Sequence, residues 1–160
     1  MRAMPRWILA MTVVLILSAT ISCSLLHQPV TSTARVSGVV LELWASRETA
    51  QVGKPLEIRF AAKNIRDYVD ITESVGRSAM DIEVGYSGQT IMRWSDGEEP
   101  TPDLNRLELA PGASKTIVMT WVPAPEWKGY PVYVQGLLFK DDQVRQRVQL
   151  TICVERCPIK

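Results

Sequence analysis

The chain has 160 residues, 46% of them hydrophobic and 22% charged, with a formal net charge of +1. That length has room for one domain with a substantial core. So nearly neutral a chain has no long-range field to draw nucleic acid or anionic lipid, and any binding must come from local shape and a few contacts. Setting Arg2 and Arg6 aside from the 18 basic residues leaves 16 against 17 acidic ones, so the balance holds without the N-terminus.

Arg2 and Arg6 precede a nearly all-apolar run from Trp7 to Leu17, and Ser18-Ala19-Thr20-Ile21-Ser22 then leads to Cys23. A short positive region, an apolar stretch and small residues in that order mark an export segment. Small residues just before a cysteine resemble the lipobox of bacterial lipoproteins, which implies cleavage after residue 22 and lipid on Cys23. An uncleaved anchor is the second reading, because crossing a bilayer takes about 20 apolar residues and Trp7–Leu26 just provides them. Ordinary cleaved secretion is the third. All three place the rest of the chain outside the cytoplasm, on the extracytoplasmic face of the cell membrane in the first two.

Residues 1–22 are thus a signal peptide of lipoprotein type or a membrane anchor. Residues 23–37, with the Ser/Thr-rich run Ser24–Ser37, have the composition of a tether. From residue 38 to residue 157 the pattern is that of strands. Leu56, Ile58, Phe60 and Ala62 alternate with Glu57, Arg59, Ala61 and Lys63, the period of two of a half-buried strand. Val144, Val148, Leu150, Ile152 and Val154 alternate with Arg145, Arg147, Gln149, Thr151 and Cys153, and Gln146 interrupts the apolar side. Further strands are expected at Val39–Trp44, Asp81–Tyr86, Thr90–Trp94, Arg106–Leu109, Lys115–Val122 and Pro131–Phe139. Turn residues separate them, notably Ser87-Gly88, Asp96-Gly97, Pro111-Gly112, Lys128-Gly129 and Asp141-Asp142. Seven or eight short strands spaced by turns predict an all-β, antiparallel, immunoglobulin-like sandwich.

Cysteine usage fits export. With lipid on Cys23, Cys153 and Cys157 remain as an even pair in an oxidising compartment. Four steps of extended chain span about 13 Å, and a disulfide needs Cα atoms within about 7 Å. A Cys153–Cys157 bridge therefore requires a turn through Val154-Glu155-Arg156. A metal site is disfavoured, since the lone histidine, His27, lies in the tether and no second cysteine pair exists.

Trp94 and Trp121 end strands and are expected in the core, an exposed aromatic platform being the alternative. Pro123, Pro125, Trp127 and Tyr130 form a proline-stiffened loop. A stiff loop loses little entropy on binding, which makes these four residues a candidate partner-binding segment. The competing reading is that Trp127 folds back and caps the sandwich. Asp96, Glu98, Glu99 and Asp103 could offer oxygens to calcium, but their spacing is not that of a calcium loop and a solvated turn is expected. No nucleophile elbow, phosphate-binding loop or His-Glu-x-x-His is present, so no enzyme activity and no cofactor are expected.

Gly88 through Ser95 match a Gly-x-x-hydrophobic-x-Arg-Trp-Ser signature. Leu109-Ala110-Pro111-Gly112 with Thr116–Trp121 match a Leu-x-Pro-Gly turn feeding a strand that ends in Trp, and Phe60–Asn64 and Gly129–Leu138 fill the flanking positions. In this order the motifs resemble the BsuPI-type intracellular proteinase inhibitor family, small immunoglobulin-like domains of bacteria. The resemblance implies a protein partner and, behind an export segment, inhibition of a secreted or envelope protease. A non-inhibitory structural or accessory module of the cell envelope is the alternative. No inhibitory residue carries over.

Overall fold

The computed structural model describes residues 28–97 and 101–157. The expectations for residues 1–22, Cys23, His27, Glu98 and Glu99 lie outside them. Eleven strands follow one another: β1 Val30–Val36, β2 Val39–Ala45, β3 Thr49–Ala50, β4 Leu56–Asn64, β5 Asp70–Glu73, β6 Met80–Tyr86, β7 Gln89–Arg93, β8 Arg106–Leu109, β9 Ser114–Trp121, β10 Pro131–Lys140 and β11 Gln143–Val154. One sheet has the order β1-β2-β4-β9 and faces a second of order β3-β11-β10-β6-β7, with β5 and β8 paired separately. Neighbours run antiparallel except for the short β3, which lies parallel to the end of β11. The fold is the expected immunoglobulin-like sandwich, with more strands than the turns alone announce. Among the described residues no helix is long and apolar enough to cross a membrane.

Three two-residue hairpin turns set the register. Ser37-Gly38, Ser87-Gly88 and Asp141-Asp142 all have positive φ, between 49° and 81°, the backbone that makes a tight turn follow the twist of its strands. The first of them corrects the expected tether. Val30–Val36 is not a linker but an edge strand, paired with β2 from Val30↔Ala45 to Val36↔Val39. Its Ser/Thr composition disguised it. Ser32 and Ala34 turn partly inward while Thr31 and Thr33 face solvent, so small polar residues serve a shallow edge. The folded unit accordingly begins by Val30, and the stretch between Cys23 and the sheet is short.

The core lies between the sheets. Leu41, Leu43, Ile58 and Phe60 from one meet Met80, Ile82, Leu138 and Ile152 from the other, all fully buried. Phe60 needs Gly136 opposite it, since a Cβ there would stand 2.3 Å from the Phe60 ring. Trp121 is buried as expected and Trp94 half-buried against the core.

The alternation predicted for β11 holds from Gln146 to Val154 and fails before it. Register shifts between Leu138 and Phe139, which face Gln146 and Val144, leaving Arg145 as the extra residue of a β-bulge. Val144 is thereby turned to solvent, at 51% exposure. Gln146 takes the inward place and donates its amide to the Val36 carbonyl at 3.2 Å. Arg145 swings to β5, donating to the Thr72 hydroxyl at 2.9 Å and pairing with Asp70 at 3.5 Å.

Candidate functional site

The strand β6 lies between β10 and β7 in the second sheet and carries two carboxylates on the sheet's outer face. Asp81 is 1% exposed and Glu83 8%. Buried charges persist only when paired and hydrogen-bonded, and both are. Asp81 accepts from the Ser95 hydroxyl at 2.7 Å, the Ser95 N–H at 3.1 Å, the Ile82 N–H at 2.9 Å and the Arg77 guanidinium at 3.3 Å. Glu83 accepts from Arg93 through Nε and Nη2 at 3.0 and 2.8 Å, and from the Tyr133 hydroxyl at 3.3 Å. The Tyr133 hydroxyl is pushed above its ordinary pKa, first by burial and then by the Glu83 charge. The polar residues of the Arg93-Trp94-Ser95 signature therefore fasten a loop to β6.

Across these strands the outer face forms a shallow hollow of about 630 Å³. Four arginines line it, Arg77, Arg93, Arg145 and Arg147, against the carboxylates Glu83 and Asp142. Arg77 lies over the Phe139 ring, 3.5 Å from its centroid, a stacked geometry suited to guanidinium. Asp142 is engaged elsewhere, accepting from the Ser74 hydroxyl at 2.6 Å and the Val75 and Gly76 N–H groups at 3.0 and 3.3 Å. The Ser74 hydroxyl and the Gly76 N–H hold its carboxyl below the usual range. Arg147 is exposed and, among the described residues, has no carboxylate within salt-bridge distance. The hydrogen bond from Gln135 to Gln149, 2.7 Å, continues the polar row across β10 and β11. This surface was not singled out in the sequence. Its arginines come from three separate segments, the loop before β6, β7 and β11, and a bulge turns one of them.

The proline loop is arranged differently from a free-standing contact segment. Pro123 is buried, and its carbonyl accepts from the Gly53 N–H at 2.9 Å. Pro125–Trp127 form one 3-10 turn, and Trp127 packs inward against the core and against Tyr86, with ring centroids 6.0 Å apart. Tyr130 approaches the same Tyr86 edge-on at 5.1 Å but is 44% exposed. Of the four residues, Pro125 and Tyr130 are thus the ones presented to solvent. The fold-back of Trp127 is the arrangement found.

Cys153 and Cys157 are bridged, with Cα atoms 5.7 Å apart. Glu155, at φ 62°, makes the turn that the spacing demanded. In the acidic loop, Asp96 accepts from the Arg93 N–H, and Asp103 pairs with Lys115 at 2.6 Å and accepts from Thr101. Its carboxyl is lowered chiefly by the hydrogen bond from Lys115. Among the described residues no three His, Cys, Asp or Glu side chains converge to hold a metal.

No family model matches the chain, and no curated protein matches it. Two solved structures are similar, a solution NMR structure and a crystal structure of the CARDB domain of PF1109 from Pyrococcus furiosus. The first is 13% identical with a TM-score of 0.46, covering 74% of this chain and 94% of its own. The second, described as a complex with di-metal ions, is also 13% identical with a TM-score of 0.46, covering 76% and 94%.

Proposed function

We propose that this chain is a non-catalytic recognition module, exported and held at the extracytoplasmic face of the membrane, that binds an acidic segment of a protein partner on the outer face of its five-stranded sheet. The observation that carries this reading is the arginine-lined hollow, with four guanidinium groups around two carboxylates that are already engaged. Guanidinium groups with spare donors favour carboxylate ligands through forked, charge-assisted hydrogen bonds. Phe139 and Leu137 give the same hollow an apolar floor for the ligand's aliphatic parts. The accessory-module reading gains over protease inhibition because Pro123 and Trp127 are spent on packing.

The test is titration of the full chain with a glutamate-rich peptide, followed by fluorescence anisotropy. Arg147→Glu is expected to weaken binding about tenfold, the worth of one charge-assisted hydrogen bond. Binding that is absent, or untouched by Arg147→Glu, refutes the site. Stoichiometric titration against a panel of extracellular serine proteases tests the inhibitor reading. Inhibition abolished by Trp127→Ala would move the function back to the proline loop.

A further inference from the structure

The chain enters the sandwich at one particular end. The Gln28 carbonyl accepts from the Glu48 N–H, and Val30 pairs with Ala45, so Gln28 lies beside the loop that follows β2. The same end carries the loop between β3 and β4, the proline loop and the disulfide. Hydrogen bonds from Gly53 to Pro123, from Gly129 to Val154 and from Val154 to Tyr130 knit them into one surface. The hairpin turns Ser37-Gly38 and Asp141-Asp142 lie at the opposite end.

Because β1 takes up residues 30 to 36, five residue steps separate Cys23 from Gln28, a reach of at most about 18 Å. An anchor ending at Leu26 is tighter still. On either form of the membrane attachment proposed above, on which this inference rests, the proline-loop end is kept within about 18 Å of the bilayer. Its chemistry suits that position. Tyr130 and Val122 are 44% and 51% exposed, and Tyr is at home at the headgroup level, where one end of the ring is apolar and the other wet. Beside them lies a hollow lined by Lys54, Lys128 and Arg156 against a single carboxylate, Glu155. Lys128 is paired with Glu155 at 2.9 Å, which leaves Lys54 and Arg156, both exposed, as the cations of that hollow with no ion pair among the described residues.

We infer that this end rests on the bilayer, with Tyr130 at the interface and Lys54 and Arg156 on the phosphates of anionic lipid headgroups. The hairpin end then points away from the membrane, and a partner reaches the arginine-lined face from the side or from above. The proline loop is, on this geometry, a lipid contact and is closed to a protease.

The four tyrosines of the chain make the test direct. The full chain, labelled with 3-fluorotyrosine, is reconstituted in phosphatidylglycerol vesicles containing a headgroup-nitroxide lipid, and 19F relaxation is measured. Each signal is assigned by a Tyr→Phe substitution. Tyr68 is the internal reference, 57% exposed in the loop after β4 at the far end. The nine residues of β4 put about 26 Å between the two ends. Since paramagnetic relaxation falls with the sixth power of distance, Tyr130 is expected to relax at least about tenfold faster than Tyr68 at that separation. Exchanging the lipid for phosphatidylcholine should reduce the Tyr130 effect, and Lys54→Glu with Arg156→Glu should do the same in phosphatidylglycerol. If the chain floats with the vesicles but Tyr68 relaxes as fast as Tyr130, the orientation is wrong and the attachment stands. If it does not float at all, both fall. Insensitivity to lipid charge and to the double substitution overturns the headgroup contact.

Discussion

Asp81→Ala is the substitution that most directly probes how the outer face is built. The carboxylate is 1% exposed and accepts from four donors, the N–H groups of Ile82 and Ser95, the Ser95 hydroxyl and Arg77. Breaking a buried ion pair from one side costs about 3–5 kcal/mol, because the remaining charge is left without a partner. Arg77 retains 27% of its side-chain exposure, so water can take over part of its solvation and the lower end applies, about 3 kcal/mol. That is a large share of the roughly 5–15 kcal/mol that stabilises a typical domain. Asp81→Asn keeps an acceptor for the two N–H groups but turns an amide N–H2 towards Arg77, and should cost about half as much, near 1.5 kcal/mol. Urea denaturation followed by tryptophan fluorescence measures both. In an Arg77→Met background, Asp81→Ala should differ from its wild-type cost by about 1 kcal/mol or more, the coupling of residues in contact. A cost below about 0.5 kcal/mol for Asp81→Ala, the range of an ordinary surface change, would refute the argument. Equal costs in the two backgrounds would remove the ion pair from it.

Gly38→Ala should destabilise by about 1 kcal/mol or more, since φ is +79° there and a Cβ would meet the Arg66 side chain at 2.3 Å. Hydrogen exchange should register the loss in β1 and β2, whereas a linker at residues 30–36 would register none. Gly136→Ala should cost about 1–3 kcal/mol by overpacking Phe60, with partial rescue by Phe60→Leu; a neutral Gly136→Ala in urea melts would mean that the two sheets are not held at this spacing. For Asp142 the folded pKa lies below its ordinary 3.8, so its contribution is present at higher pH and is lost as pH falls through that lowered value. The stability difference between wild type and Asp142→Asn should therefore shrink between pH 6 and strongly acid solution, and a difference that stays constant across that range would contradict the assignment.

Much of the sandwich was legible in the sequence because strand burial repeats every second residue. Leu56, Ile58, Phe60 and Ala62 announce β4, and Val148 through Val154 announce β11, each with its inward face. Turn chemistry is equally local, and Asp141-Asp142 and Ser87-Gly88 fall where strands must reverse. Residues 153 and 157 likewise state their own requirement, a turn of four steps, and Glu155 meets it. What stayed hidden depends on distant partners. β1 has no apolar stripe of its own and becomes a strand only because β2 offers it an edge. β5, with Asp70 and Thr72 buried, is held by Arg66, Arg145 and its pairing with β8 rather than by hydrophobicity.

The sequence by itself determined the fold class and the hairpin turns, since each rests on neighbours along the chain. The tertiary structure decided which surfaces are left for function. It turned Trp127 inward, brought four arginines from a loop, β7 and β11 around one hollow with the help of a bulge, and set Gln28 at the same end as the proline loop. These are facts of juxtaposition between residues dozens of positions apart, and no local periodicity encodes them.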